Sequence, residues 1–153
     1  MKLPLTGGCQ CGALRYEIKA EPLSVYLCHC TDCQRQTGSA FGMSVLVPRE
    51  ALTYTAGQPS NWEKTADSGR KMDGDFCATC GVRIAHHPQA NAKVSVLKPG
   101  TLDDTSWLSP VGHIWTRSAQ PWFPIPRDSI VHEGHPPDLA PFMEAWQRHR
   151  QSM

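Results

Sequence analysis

Seven cysteines arranged in three short motifs constrain this 153-residue chain more than any other feature of its sequence. They are Cys9, Cys11, Cys28, Cys30, Cys33, Cys77 and Cys80. The spacings C-x-C, C-x-C-x-x-C and C-x-x-C are typical of loops that chelate metal ions. Because seven is odd, complete disulfide pairing is impossible. Because a tetrahedral zinc site takes four ligands, the set divides into a group of four and a remainder of three.

The C-x-C and C-x-x-C motifs together supply four thiolates. Two steps along an extended strand span ~6.6 Å and return Cys9 and Cys11 to the same face. Two Zn–S bonds of about 2.3 Å place their sulfurs roughly 3.8 Å apart, so inward-leaning side chains can chelate. In CATCG, Gly81 permits the positive φ of a tight turn whose amides hydrogen-bond the thiolates of Cys77 and Cys80. We therefore expect a closed structural zinc site between the amino-terminal strand and the middle of the chain.

Subtraction leaves Cys28, Cys30 and Cys33, within the stretch LCHCTDCQRQTGSAF. Three ligands on one loop cap one face of a metal tetrahedron and leave the fourth position open, as in catalytic zinc sites. Two alternatives stay open for this group: a fourth thiol shared from another motif, or a histidine that closes the site and makes both sites structural. For the C-x-C and C-x-x-C pairs, the alternative is buried and inert cysteine. The histidine candidates are His29, His86, His87 and His113.

The neighbouring aromatic residues have less specific interpretations. His29 lies between two ligands, so strand alternation predicts that its ring points away from the metal and takes a supporting or core position. His86 and His87 follow a strand and are expected to be surface or half-buried residues. Pocket lining and core packing are both compatible with Trp107, His113 and Trp115.

The composition favours a globular protein of strands and turns. Apolar residues make up 40% of the chain and charged residues 19%, and thirteen prolines and twelve glycines disfavour a helical bundle. Alternating or β-rich runs separated by turn residues predict an antiparallel meander or sandwich. The predicted strands are Ala13–Ile18, Val25–Leu27, Phe41–Val47, Leu52–Tyr54, Trp62–Thr65, Arg70–Phe76, Val82–His86 and Val94–Leu97.

Two segments are predicted to be helical. A short helical turn covers Thr31–Thr37, with Thr31 as its N-cap. A C-terminal helix covers about residues 138–150, with Asp138 as its cap. Its apolar stripe, expected to pack into the core, comprises Leu139, Phe142, Met143 and Trp146. The proline-rich stretch Lys98–Pro137 is expected to be irregular and to wrap the sheet.

Charge and hydropathy argue against several classes of function. Fifteen basic residues against fourteen acidic ones, without a basic stripe, predict no nucleic-acid partner. No apolar run approaches the ~20 residues of a membrane span, and no signal peptide is evident, so we expect a cytoplasmic protein. There is no internal repeat, P-loop, G-x-G-x-x-G or Ser/His/Asp signature. One domain over residues 1–153 is expected.

In combination, the motifs resemble those of the glutathione-dependent formaldehyde-activating enzyme family, which also contains the centromere-protein-V-like proteins. The likeness runs from about Gly7 to Val131. It rests on G-x-C-x-C-G with Tyr16 shortly after, C-H-C-x-x-C followed by Gly38-Ser39, C-x-x-C-G, Gly100-Thr101-Leu102-Asp103, and His113-Ile114-Trp115 leading to Trp122.

The resemblance implies an all-β fold, a β-tent of antiparallel sheets stapled by zinc like that of the Mss-four guanine-exchange chaperones, with its core over about residues 5–131. It implies two zinc ions, a structural one held by Cys9, Cys11, Cys77 and Cys80 and a catalytic one held by Cys28, Cys30 and Cys33. It also implies glutathione as cosubstrate and a carbon–sulfur lyase activity like that of S-(hydroxymethyl)glutathione synthase. This chain is shorter than the enzymes that give the family its name.

A zinc ion with three thiolate ligands is a mild Lewis acid that can host and deprotonate a further thiol. The sulfur of glutathione, or of a similar thiol, would then attack a small electrophile such as formaldehyde. Arg35 is a candidate partner for a glutathione carboxylate, and Gln36 and Ser39 are candidates for hydrogen bonds to substrate. The alternatives are a non-catalytic, zinc-stabilised binding or chaperone-like module, and a redox role in which the three cysteines cycle through a disulfide.

Overall fold

The computed structural model describes residues 1–65 and 69–152, which are mostly β-sheet and contain two α-helices. The strands are β1 (Leu5–Gly8), β2 (Arg15–Ile18), β3 (Ser24–Cys28), β4 (Gly42–Pro48), β5 (Leu52–Ala56), β6 (Ser60–Thr65), β7 (Lys71–Phe76), β8 (Arg83–Pro88), β9 (Val94–Leu97), β10 (Gly112–Ile114) and β11 (Ile130–Val131). The helices are α1 (Thr31–Thr37) and α2 (Ala140–Gln151), and 3-10 turns cover Arg49–Ala51, Pro99–Thr101 and Thr116–Ser118. The prediction of a β-sheet protein with a C-terminal helix is confirmed.

Every predicted strand is present, with ends that lie within two residues of the expected ones. Three strands were not predicted: β1, β10 and β11. The expectation that Lys98–Pro137 is irregular is wrong in part, because β10 and β11 lie within it. These strands are three and two residues long, which is too short for an alternating pattern to show in the sequence.

The chain forms two compact units, and each is built from two segments. Unit 1 comprises Met1–Pro22 and Leu46–Trp107, and unit 2 comprises Leu23–Val45 and Leu108–Met153. Strand β4 has its first four residues in unit 2 and its last three in unit 1. The single domain over residues 1–153 stays a prediction.

Unit 1 contains a three-stranded antiparallel sheet in the order β1-β2-β5 and an antiparallel run in the order β9-β8-β7-β6. The G-T-L-D stretch that contributes to the family resemblance closes on the first of these sheets. Tyr16 Oη and Thr101 Oγ1 lie 2.8 Å apart, and Arg15 Nη1 donates to Asp103 Oδ1 at 3.0 Å. A side chain at Gly7 would collide with the Tyr16 hydroxyl and the Thr101 carbonyl, so this close approach requires glycine.

Unit 2 contains strands in the order β11-β10-β3, and both pairings are parallel. The sequence predicted an antiparallel arrangement, which is wrong for these three strands. His113 is opposite Leu27 and Ile114 is opposite Cys28. A long connection separates β3 from β10, so no hairpin requires the two strands to run in opposite directions.

Helix α2 packs its apolar stripe against β3 within unit 2. Phe142 and Trp146 have no exposed surface, which confirms their predicted place in the core. The rings of Phe142 and Tyr26 meet edge to face with centroids 5.7 Å apart, and Ser24 Oγ donates to the Phe142 carbonyl. Burying a side chain of this kind contributes about 1.5–3 kcal/mol, so Phe142 and Trp146 stabilise the attachment of the helix. Leu139 and Met143 of the predicted stripe are only half-buried.

The start of α2 differs slightly from the predicted one. The helix begins at Ala140, and Leu139 occupies the N-cap position without a side-chain hydrogen bond. Asp138 nevertheless serves the helix start, because its Oδ1 accepts from the Ala140 amide at 2.9 Å. Neither of the two helices described has the length and apolar character that crossing a membrane requires.

Candidate metal centres

Unit 1 brings four cysteine sulfurs together. The Sγ atoms of Cys9, Cys11, Cys77 and Cys80 all lie within 4.8 Å of one another. Cys9 Sγ is 3.5 Å from Cys11 Sγ, which is 3.7 Å from Cys77 Sγ. Sulfurs around a tetrahedral zinc ion are separated by about 3.8 Å. This group could therefore hold a metal ion with little rearrangement.

The C-x-x-C loop has the tight turn that its sequence predicts. Gly81 adopts a φ of 75°, its amide donates to the Cys77 carbonyl at 2.8 Å, and the Cys77 amide donates to the Val82 carbonyl at 2.9 Å. Backbone amides of Val82 and Cys11 hydrogen-bond the sulfur of Cys80 and lower the pKa of that thiol. The loop thus stabilises an anionic sulfur at the place where a cation would bind.

The C-x-C loop stabilises thiolate in the same way. Burial raises the pKa of Cys9, but the Leu14 amide, which donates to its Sγ at 3.2 Å, and the neighbouring thiols outweigh burial and lower the pKa to about 6. The amide of Ala13 lowers the pKa of Cys11, but its thiol neighbours raise it overall to about 11. Adjacent thiols resist ionising together unless a cation compensates their charge.

Unit 2 brings together the other three sulfurs, those of Cys28, Cys30 and Cys33, all within 4.8 Å of one another. Cys28 ends β3, Cys30 precedes α1 and Cys33 lies within α1. The loop that carries the three sulfurs is therefore the junction between a strand and a helix. A methyl group at Gly42 would lie 3.1 Å from Cys33 Cβ, so glycine at the start of β4 preserves the space beside this cysteine.

Cys30 is the N-cap of α1, and the prediction that Thr31 has this role is wrong. Cys30 has extended backbone angles, and its Sγ accepts from the Cys33 amide at 3.3 Å. The sulfur thus substitutes for the oxygen of a serine or threonine cap. Hydrogen bonds from the thiols of Cys28 and Cys33, followed by those from backbone amides, hold the pKa of Cys30 well below its usual range.

Histidine does not complete the three-sulfur group. Across residues 1–65 and 69–152, no histidine nitrogen or carboxylate oxygen joins either cluster. His29 is fully buried and its Nε2 lies 3.0 Å from His113 Nδ1, as its predicted core position requires. The rings of Phe41 and Phe123 pack against His29 with centroids 5.7 and 5.4 Å away. Burial lowers the pKa of both histidines and so favours a neutral pair.

Three polar residues that the sequence did not single out hold the loop in place. Gln34 Nε2 donates to the carbonyl oxygens of His29 at 2.7 Å and Ser118 at 2.9 Å. Ser118 Oγ also donates to the His29 carbonyl, and Gln120 Nε2 donates to Gln34 Oε1 at 3.1 Å. The carbonyl between Cys28 and Cys30 is thereby fixed from two sides. No local pattern marks these residues, because the bonds that join Gln34 to Ser118 and Gln120, and Ser118 to His29, each span more than eighty positions of the chain.

The turn that carries Ser118 begins with a strained residue. Trp115 has a φ of 59°, and it is the one non-glycine residue with positive φ in the part of the chain described. Such a conformation costs of the order of 1–3 kcal/mol and persists where the surroundings enforce it. The Ser118 amide donates to the Trp115 carbonyl at 3.1 Å, so the strained turn directs Ser118 toward the cysteine loop.

The other predicted residues have varied surroundings. Arg35 and Ser39 are exposed, and Gln36 is half-buried. Their contacts with a substrate stay predictions. Trp107 is buried, as a core position requires. His86 is half-buried as expected, whereas the expectation for His87 is wrong: it is 6% exposed, and hydrogen bonds to Asp75 and Ser95 compensate its burial.

We expect Gln34→Ala to lower the free energy of unfolding by about 1–3 kcal/mol, since it removes two donors from partly buried carbonyls. The same variant should release metal from the three-cysteine site more readily, because the His29 carbonyl loses one of its two restraints. Chemical denaturation and competition with a chelator measure the two effects. Arg35→Ala, an exposed change on the same helix, is the control. Equal behaviour of the two variants would contradict the role assigned to Gln34.

Comparison with known proteins agrees with this architecture. The sequence model of the family described as "Glutathione-dependent formaldehyde-activating enzyme" matches residues 4–118, which is well over half of the chain. The crystal structure of a Rhodobacter sphaeroides protein is similar, with a TM-score of 0.54 and 20% sequence identity, over 67% of this chain and 91% of that chain. At that identity the structural likeness shows a shared fold alone. The match to the family model shows membership as well as fold: the chain belongs to the glutathione-dependent formaldehyde-activating enzyme family.

Proposed function

We propose that this protein is a zinc-dependent enzyme of carbon–sulfur chemistry, which handles the adduct of glutathione, or a similar thiol, with a small electrophile such as formaldehyde. The observation that carries the proposal is the group of three sulfurs in unit 2, which no histidine or carboxylate of the described residues completes. Membership of a family named for such an enzyme supports it. We also propose that the fold is the β-tent expected from the sequence.

The donor atoms of both groups suit zinc. Thiolates are soft ligands that favour zinc over magnesium or calcium. Cys9, Cys11, Cys77 and Cys80 would hold a structural ion, and Cys28, Cys30 and Cys33 would hold a second ion with one position open. When bound there, zinc supplies a site at which an incoming thiol loses its proton near neutral pH.

The protein's own residues would hold and orient the reactants. The hydrogen bond from the Cys33 amide to Cys30 Sγ holds the loop that carries the three sulfurs in place. The hydrogen bonds from Gln34 to the His29 and Ser118 carbonyls restrain the same loop. Burial lowers the pKa of both His29 and His113 and so disfavours a positive charge on these rings behind the loop. Arg35, exposed on α1, would pair with a carboxylate of glutathione, and the side chains of Gln36 and Ser39 would donate or accept hydrogen bonds to the substrate.

The reaction balances without a further reactant. The thiol proton passes to solvent, the glutathione sulfur forms a bond to the carbonyl carbon, and the carbonyl π electrons move to oxygen, which takes up a proton. The reverse sequence breaks the carbon–sulfur bond. Because the uncatalysed addition is already easy, the catalytic demand on the protein is modest.

The test is the rate at which the zinc-loaded protein interconverts glutathione and formaldehyde with their adduct, measured by exchange NMR with other small aldehydes as alternatives. We expect exchange faster than in buffer, and a lower apparent affinity for glutathione in Arg35→Ala. If the protein carries two zinc ions and accelerates exchange of none of these aldehydes, the enzyme proposal fails and a binding module becomes the better interpretation.

A further inference from the structure

Unit 1 contains an open cavity of about 240 Å³ that has no part in the chemistry proposed above. One wall is the face of the β9-β8-β7-β6 run, and the other includes residues of β5 and of the 3-10 turn that precedes it. The cavity is lined mainly by polar and charged side chains. A cavity of this size accommodates a small molecule rather than a peptide or a drug-sized ligand.

Strand register explains why the polar groups converge. Asp73 and Asp75 are two residues apart on β7, so they share one face of the sheet. Asn61 on β6 is opposite Asp75, and His87 on β8 is opposite Asp73. Four polar side chains from three adjacent strands therefore project into the cavity.

Part of this lining is committed to internal hydrogen bonds. Asp75 Oδ2 accepts from Tyr54 Oη at 2.8 Å and from His87 Nε2 at 3.1 Å, and His87 Nδ1 is 2.9 Å from Ser95 Oγ. Burial raises the pKa of Asp75, but the hydrogen bonds from His87 and Tyr54 outweigh it and lower the pKa. Both ring nitrogens of His87 therefore have a hydrogen-bond partner. Asp75, His87, Tyr54 and Ser95 thus form one side of the cavity and are hydrogen-bonded to one another.

Arg49 and Asp73 carry opposite charges in this cavity, and both are available to a ligand. In residues 1–65 and 69–152, neither the Arg49 guanidinium nor the Asp73 carboxylate has a hydrogen-bond or ion-pair partner, and they do not pair with each other. Arg49 is exposed and Asp73 half-buried, so a ligand can reach both. Leu52 and the ring of Tyr54, both half-buried, add apolar surface beside them.

We propose that this cavity binds a small zwitterion of the α-amino acid class. Its ammonium group would lie on Asp73, its carboxylate on the Arg49 guanidinium, and a modest apolar side chain against Leu52 and Tyr54. The guanidinium fork matches a carboxylate with two parallel hydrogen bonds, and a carboxylate accepts charge-assisted hydrogen bonds from an ammonium group. A dicarboxylate would meet the repulsion of Asp73, and a diamine would meet that of Arg49. The proposal uses no cysteine and stands or falls separately from the zinc chemistry.

The test uses the zinc-loaded full chain with three probes: L-leucine, L-leucinamide, which lacks the carboxylate, and N-acetyl-L-leucine, which lacks the ammonium group. Calorimetry and NMR shift perturbation measure binding. We expect L-leucine to bind and each blocked probe to bind at least about tenfold more weakly, because each loses one charge-assisted contact. The shifted resonances should belong to β5, β7 and β8.

Charge variants test whether Asp73 binds the ammonium group of the ligand and Arg49 binds its carboxylate. Asp73→Asn should remove the preference for L-leucine over N-acetyl-L-leucine, and Arg49→Gln should remove the preference over L-leucinamide. Glu144→Gln, an exposed charge on α2, and Arg70→Gln, an exposed charge outside the cavity, are the matched controls. Absence of saturable binding by L-leucine, equal binding of the three probes, or equal losses in the control variants would overturn the proposal. Unchanged zinc content and melting temperature show that the variants are folded.

Discussion

Replacing Cys77 with serine is expected to unfold the protein at temperatures where the wild type is folded, and to remove one of two equivalents of bound zinc. Cys77 is 2% exposed, and its sulfur lies 3.7 Å from that of Cys11. Structural zinc contributes about 10–16 kcal/mol of apparent binding free energy in small zinc domains. A whole domain is typically stable by only about 5–15 kcal/mol, so we do not expect the fold to survive loss of the proposed structural ion. Circular dichroism melts and elemental analysis measure both effects.

The matched control for Cys77→Ser is Ala78→Ser. Ala78 is exposed on the same loop, so this substitution adds the same hydroxyl without removing a candidate ligand. It should keep the melting temperature and both zinc equivalents. Treatment of the wild type with a strong chelator should reproduce the unfolding of Cys77→Ser. Wild-type stability and metal content in that variant would show that the four-cysteine group is not structural.

Cys30→Ser is expected to reduce thiol–aldehyde exchange to the uncatalysed rate while the fold survives. The change removes one of three sulfurs, and we expect it to remove the proposed second zinc ion as well. It retains the helix start, because a serine hydroxyl is at least as good an N-cap as the Cys30 sulfur that now accepts from the Cys33 amide. The exchange rate, the zinc content and the melting temperature form one data set in which only the last should stay near its wild-type value.

Cys30→Ala separates the two roles of this side chain. Alanine can neither bind metal nor cap the helix, so this variant should lose activity like the serine variant and also about 1 kcal/mol of stability. If Cys30→Ser unfolds as Cys77→Ser does, the division into a structural and a catalytic ion is wrong. If it keeps full exchange activity, the three-cysteine loop is not the reacting site.

The features that the sequence predicted well depend on short-range rules. Chelating spacing places Cys77 near Cys80 whatever the rest of the chain does, and Gly81 has the positive φ that its turn requires. The stripe of α2 repeats at helical spacing, so the burial of Phe142 and Trp146 could be predicted. Counting ligands then divided seven thiols into the groups of four and three that the structure brings together.

The features that escaped prediction depend on partners distant in sequence. Parallel β10 is three residues long and is defined by its neighbours β3 and β11. Gln34 matters because Ser118 and Gln120 lie beside it, and neither residue belongs to a recognisable motif. His87 was expected at or near the surface because its position after a strand says nothing of the carboxylate that balances its burial.

Cys30 is both a candidate metal ligand and the N-cap of α1, so its oxidation would affect the metal site and the helix together. An electron-rich sulfur is a good acceptor for the Cys33 amide in the first turn of α1, whereas a sulfur in a disulfide carries no negative charge and accepts poorly. Oxidative loss of the metal would thus weaken the first turn of the helix as well as the coordination shell. The stability of the first turn of α1 and the redox state of the cysteine loop are therefore coupled through Cys30 Sγ.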